Sequence, residues 1–117
     1  MINNTNILNK FTNRYNFTFS KRITSGDDDV EEEDDGTMYS NSSDIELVAD
    51  GGRGNQTIGL RYTGVTIPNG ATINNAYIQF TCDETNSGGT SLTFKGEDED
   101  NASAYSSSNG NVSGRTT

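Results

Sequence analysis

The chain has 117 residues, a net charge of −9 and no histidine. The missing histidine excludes a Ser-His-Asp triad, a Cys-His pair and histidine-ligated zinc, and the single cysteine, Cys82, excludes an intrachain disulfide or a cysteine-rich zinc site. The acidic balance argues against nucleic acid and anionic membrane as partners, since both are bound through clusters of Lys and Arg.

Leu, Ile, Val and Phe together fall just short of the ~20% below which a highly charged chain is expected to stay unfolded. Their distribution along the chain decides whether any of it folds. Residues 1–23 are rich in Asn and Thr and carry Lys10, Arg14, Lys21 and Arg22. They hold no apolar run of the roughly 7–15 residues that a signal peptide needs. Nothing in the chain approaches the ~18 apolar residues of a membrane span, so no membrane insertion is expected. Acid dominates from Asp27 onward, which places a boundary near residues 24–26. The expected organisation is a polar N-terminal extension, residues 1–23, and a folded module, residues 24–117. Asn-X-Ser/Thr sites at Asn3, Asn16, Asn41, Asn55, Asn101 and Asn111 indicate exposed surface and little else in so Asn-rich a chain.

Helical periodicity is nearly absent, and alternation with period two is common, which points to strands with one wet face. Residues 17–23 place Phe17, Phe19 and Ile23 on one side. Residues 27–35 are acidic at every position but Val30 and read as a solvated, self-repelling segment. Met38 and Tyr39 lie in a further candidate strand, and residues 44–48 form a weaker one. Residues 56–63 alternate cleanly, with Ile58, Leu60 and Tyr62 opposite Thr57, Gly59, Arg61 and Thr63. Ala76, Ile78, Phe80 and Cys82 form a second stripe, opposite Tyr77, Gln79 and Thr81; Leu92 and Phe94 form a third. Residues 102–117 are mostly Ser, Asn, Gly and Thr, and the last of them, 112–117, have the look of an interrupted domain. Gly51, Gly52 and Gly54, then Pro68-Asn69-Gly70, then residues 86–89 supply turn chemistry between the segments. Short strands at roughly 8–12-residue spacing, concentrated between Ile45 and Phe94, predict an all-β sandwich or barrel rather than a parallel α/β sheet.

The stretch from Leu60-Arg61-Tyr62 through Ile67-Pro68-Asn69-Gly70-Ala71-Thr72-Ile73 to Ala76-Tyr77-Ile78-Gln79-Phe80 resembles the core of secreted jelly-roll modules, including the DNRLRE-type carbohydrate-binding-module-like domains. Similarity continues upstream through Ser25-Gly26-Asp27-Asp28 and residues 38–48, and downstream through Cys82-Asp83-Glu84 and residues 96–102. It covers residues 24–117, about four-fifths of the chain; residues 1–23 match nothing in the pattern. The related domains continue past the position of Thr117 with a Trp-containing stretch and more strands, and they carry an aliphatic residue where Cys82 stands. The resemblance therefore implies a jelly-roll-like β-sandwich, incomplete, in an extracellular or cell-surface setting. Within the pattern, Ile73 is out of phase with the stripe that follows it, and a bulge near Asn74-Asn75 would restore it to the core side. Arg61 is free to face water or to pair with a carboxylate.

Among chemistry-bearing residues, Asp83 and Glu84 follow one predicted strand, and Glu97, Asp98, Glu99 and Asp100 follow another. If those ends converge, Asp83, Glu84, Glu97, Asp98 and Asp100 are the candidate ligands of a structural calcium ion, which takes 6–8 oxygens; solvated loops are the alternative. The spacing of 27–35 does not fit an EF-hand loop. Paired carboxylates also serve glycoside hydrolysis, but no apolar pocket is evident to raise the pKa of one of them, so no enzyme is expected. Tyr62 falls on an apolar stripe and is expected in the core, as is Cys82. Tyr77 lies on the opposite face, next but one to Gln79. This pair is the candidate sugar platform, an aromatic ring suiting the C–H face of a pyranose. The function expected is a non-catalytic accessory or surface module of a larger secreted protein, with polysaccharide and the other domains of that protein as its partners. A structural or adhesive spacer, or a piece of a secreted hydrolase whose catalytic part lies elsewhere, are the alternatives.

Overall fold

The structure, a computed structural model, describes residues 16–85 and 87–117. Most of the extension predicted for residues 1–23 lies outside the described residues. The fold is all-β, an open antiparallel sheet of four strands with no helix among the described residues. The strands are β1 (Asp29–Glu33), β2 (Met38–Tyr39), β3 (Ala49–Asp50) and β4 (Gly54–Leu60), ordered β2-β1-β4-β3. A sandwich was expected; the described residues form this single sheet.

Two tight hairpins build it. Asp35 Oδ1 accepts the Thr37 N–H at 2.9 Å while Gly36, at φ 86°, turns β1 into β2. Between β3 and β4 the chain passes through Gly51, Gly52 and Arg53. Asp50 Oδ1 accepts the Gly52 N–H at 2.9 Å, and Gly54 takes φ 81°. In both corners an Asp carboxylate holds the backbone and a glycine, Gly36 in one and Gly54 in the other, supplies the left-handed conformation. The two hairpins join along β1 and β4, paired in register from Asp29–Leu60 to Glu33–Gln56. Arg61 N–H to Asp28 O, at 2.7 Å, extends the ladder beyond Leu60.

The acidic segment is therefore not the solvated stretch expected: five of its residues are the central strand β1. Among the described residues Val30, Glu31 and Glu32 are buried, at 2%, 2% and 3% exposure, as is Gly59 on β4. Each face of the sheet is covered by chain from elsewhere. Val30, Glu32, Thr57 and Gly59 share one face by register, and residues 102–115 lie over it. Glu31, Glu33, Tyr39 and Ile58 share the other, where Arg53 and the loop before β3 close it. Val30 is the single buried hydrophobic residue among those described. Full burial of one valine supplies about 1.5–3 kcal/mol, while ordering each residue's backbone costs about 1–2 kcal/mol. Apolar burial therefore does not hold this sheet by itself, and the polar contacts of its flanking segments carry much of the cohesion.

Several other expectations change. The strand predicted over 56–63 is present as β4, shifted to Gly54–Leu60, and Met38 and Tyr39 form β2. Residues 44–48 are not a strand; the two-residue β3 follows them. Residues 17–23 form none, and Phe17 is 57% exposed. Tyr62, expected in the core, is exposed, because the β1–β4 ladder has ended before it. Cys82 is exposed too. The segments carrying the second and third stripes form no strands, so no ladder exists in which Asn74-Asn75 could bulge. The Pro68–Gly70 corner is present, closed by the Ala71 N–H on Pro68 O at 3.1 Å with Gly70 at φ 78°. The Cα radius of gyration, 21.2 Å, is well above the roughly 13 Å of a compact chain this long.

Candidate functional site

Three groups of side chains stand out. The first is a carboxylate clasp between the sheet and the C-terminal segment. Glu32 Oε2 accepts the N–H groups of Val112 at 2.7 Å and Ser113 at 3.0 Å. A tight turn presents these donors, with Gly114 N–H bonded back to Gly110 O and Gly110 N–H to Gly36 O. Burial pushes the Glu32 carboxyl up, but hydrogen bonds from Ser113 and the Val112 N–H outweigh it and hold it below the ordinary carboxylate range. Arg115 gathers the same segment. Its guanidinium meets Glu97 Oε2 at 2.8 Å, Ser103 O at 2.9 Å, Ala104 O at 3.1 Å and Asn111 O at 2.9 Å, and stacks 4.2 Å over the Tyr105 ring. Tyr105 in turn lies against Gly59, where an added Cβ would sit 2.7 Å from the ring. Arg61, left free by the sequence to face water or a carboxylate, pairs with Asp28 at 2.8 Å and donates to Ala102 O at 2.9 Å.

The second group lies on the opposite face. Arg53 stacks 3.7 Å over Tyr39, with Glu33 at 3.5 Å, Asp50 at 3.6 Å and Glu31 at 4.0 Å. Glu31 Oε1 accepts the Glu46 N–H at 3.0 Å, and its buried Oε2 has no hydrogen-bond donor among the described residues. Glu46 is raised by burial and by Asp44, Asp50, Glu31 and Glu84. Three carboxylates, Glu31, Glu33 and Asp50, thus lie within 4.0 Å of the one Arg53 guanidinium.

The third group is the ribbon of residues 71–97. Neither turn nor bend interrupts residues 71–83 or 89–97. Tyr77 is 81% exposed, and Gln79 is exposed as well. A shallow groove of about 410 Å³ is lined by Ala76, Tyr77, Ile78, Phe80 and Phe94. Phe80 and Phe94 meet with ring centroids 6.5 Å apart, so the second and third stripes touch at this aromatic pair. A smaller cleft, about 190 Å³, opens over the sheet between Asp27, Val30, Ser40 and Tyr105.

Tyr77 and Gln79, two residues apart on the ribbon, are both exposed. The structure does not bring the predicted calcium ligands together. Among the described residues no three Asp or Glu side chains converge in a geometry for a metal ion. Glu97 is engaged by Arg115, while Asp83, Glu84, Asp98 and Asp100 are exposed. The sequence reading missed the clasp and the Arg53 group. Their one legible signal was the isolated Val30 with charge on both sides, which is compatible with a strand if both faces are covered. No helix among the described residues is long and apolar enough to cross a membrane. Comparison of the chain with protein-family models, curated proteins and solved structures finds no match.

Proposed function

We propose that the chain is a non-catalytic β-module of a larger secreted protein, an accessory or surface unit that takes polysaccharide on the face carrying Tyr77 and Gln79. In this reading its setting is extracellular, and a jelly-roll-like sandwich forms when the apolar stripe of the ribbon is covered. The observation that carries the proposal is the exposure of Tyr77, 81%, at the rim of an apolar groove. An open aromatic face of this kind offers a flat platform to a pyranose ring. Gln79, two residues along and on the same side of an extended chain, has amide donors and an acceptor for sugar hydroxyls. Three carboxylates serve the fold instead: Glu32 holds the 112–113 turn, Asp28 holds Arg61 and Glu97 holds Arg115. The resemblance to secreted jelly-roll modules adds to the same reading.

Retention on a panel of insoluble glycans tests it. The protein is expected to be held by at least one glycan, with retention abolished by Tyr77→Ala and weakened by Gln79→Ala. Passage through every glycan unretained would refute the binding role and leave the structural spacer.

A further inference from the structure

The ribbon has features that a sugar platform does not require. Among the described residues from 72 to 96, no backbone N–H or C=O enters a backbone hydrogen bond. Unpaired edges of this kind are templates for another chain. The same ribbon shows Ile73, Tyr77, Ile78, Phe80, Leu92 and Phe94 to solvent, at 62%, 81%, 46%, 38%, 43% and 63%. On the stripe side Ile78, Phe80, Leu92 and Phe94, at roughly 200 Å² for a whole side chain of this size, expose about 380 Å² of apolar area. A standard interface buries about 800 Å² per partner, so these side chains supply about half of one, and Ala76 and the backbone edges add to them.

Charge says where two copies can meet. The chain carries −9, yet no Asp, Glu, Lys or Arg occurs between Tyr62 and Cys82. Two sheet bodies repel each other, while two uncharged 63–81 stretches do not. The stripe is also complementary to itself. In an antiparallel pairing centred on Ile78, small Ala76 of each copy falls opposite large Phe80 of the other, and Ile78 meets Ile78. Such an arrangement is isologous and closes at two copies.

We propose that this ribbon is an association face whose occupant is a second copy of the same chain, paired antiparallel about Ile78. The pairing satisfies one backbone edge of each ribbon and sets Ala76 beside Phe80, and Ile78 beside Ile78, on one face. It leaves Gln79 on the other face and Tyr77 at the rim of the groove that the stripe lines.

Sedimentation velocity from about 1 to 100 µM under reducing conditions tests the proposal, a range suited to an interface of this size. The expected result is a reversible monomer–dimer equilibrium. Ile78→Asp is expected to shift it to monomer while β1–β4 amide protection stays intact, and Tyr77→Ala is expected to leave it largely in place. In the same pairing residue 74 faces Cys82 of the second copy, so Asn74→Cys should give a covalent dimer on mild oxidation, and Asn75→Cys should not. Monomer at every concentration overturns the proposal, as does a dimer indifferent to Ile78→Asp or open-ended association without a closed species. A dimer in which Asn74→Cys and Asn75→Cys crosslink equally overturns the antiparallel register.

Discussion

Replacing Glu32 tests the idea that polar contacts hold the sheet to its C-terminal cover. One oxygen of this carboxylate accepts two N–H groups, at 2.7 and 3.0 Å, from residues eighty positions away. A hydrogen bond to a charged group contributes about 1.5–3 kcal/mol. Val112 is half-buried and Ser113 exposed, so water can reach the donors once they are released, and the lower figure applies. Glu32→Ala is then expected to cost about 3 kcal/mol, and Glu32→Gln, which keeps a neutral acceptor, about 1–2 kcal/mol. Urea unfolding followed by far-UV circular dichroism measures the total, and hydrogen exchange at the Val112 and Ser113 amides locates it.

The pH dependence carries a sign. The Glu32 carboxyl is lowered in the folded chain, so its contribution is fully present above the unfolded value, about 4.3. It is lost as pH falls through the lower, folded value. The stability gap between the wild type and Glu32→Gln should be constant near neutrality and close in acid. An unchanged urea midpoint in Glu32→Ala, with unchanged exchange at both amides, would refute the reasoning.

Two further outcomes follow from the Tyr105 packing. Gly59→Ala places a methyl 2.7 Å from a ring that Arg115 stacks on, and is expected to cost about 1–3 kcal/mol in urea unfolding; in Tyr105→Ala the same substitution should be close to neutral, and a cost unchanged by Tyr105→Ala would contradict the contact. Burial, more than any neighbouring charge, raises the Tyr105 phenol, so its contribution to stability is present below the ordinary tyrosine value of about 10 and lost as pH rises through the folded value. Phenolate absorbance during alkaline titration should show one late-titrating tyrosine that vanishes in Tyr105→Phe; identical curves for the two proteins would exclude it.

The sequence by itself determined the class of local structure. Period-two alternation marked β4, Met38 and Tyr39 were placed in a strand, and glycine with a hydrogen-bonding Asp made the corners, because these preferences are settled within a few residues. The spacing that sets Tyr77 and Gln79 on one side is local as well. What only the tertiary structure decided is which segments pair and which are covered. Residues 27–35 read as solvated because eight negative charges in nine residues repel one another in water; Arg53, the Glu46 N–H and the Val112 and Ser113 donors change that environment, and all lie far along the chain. Conversely, the stripe of Ala76, Ile78 and Phe80 has the pattern of a strand, but a strand exists only against a neighbour. Alternation states what a segment would bury, and the rest of the fold decides whether there is anything to bury it against.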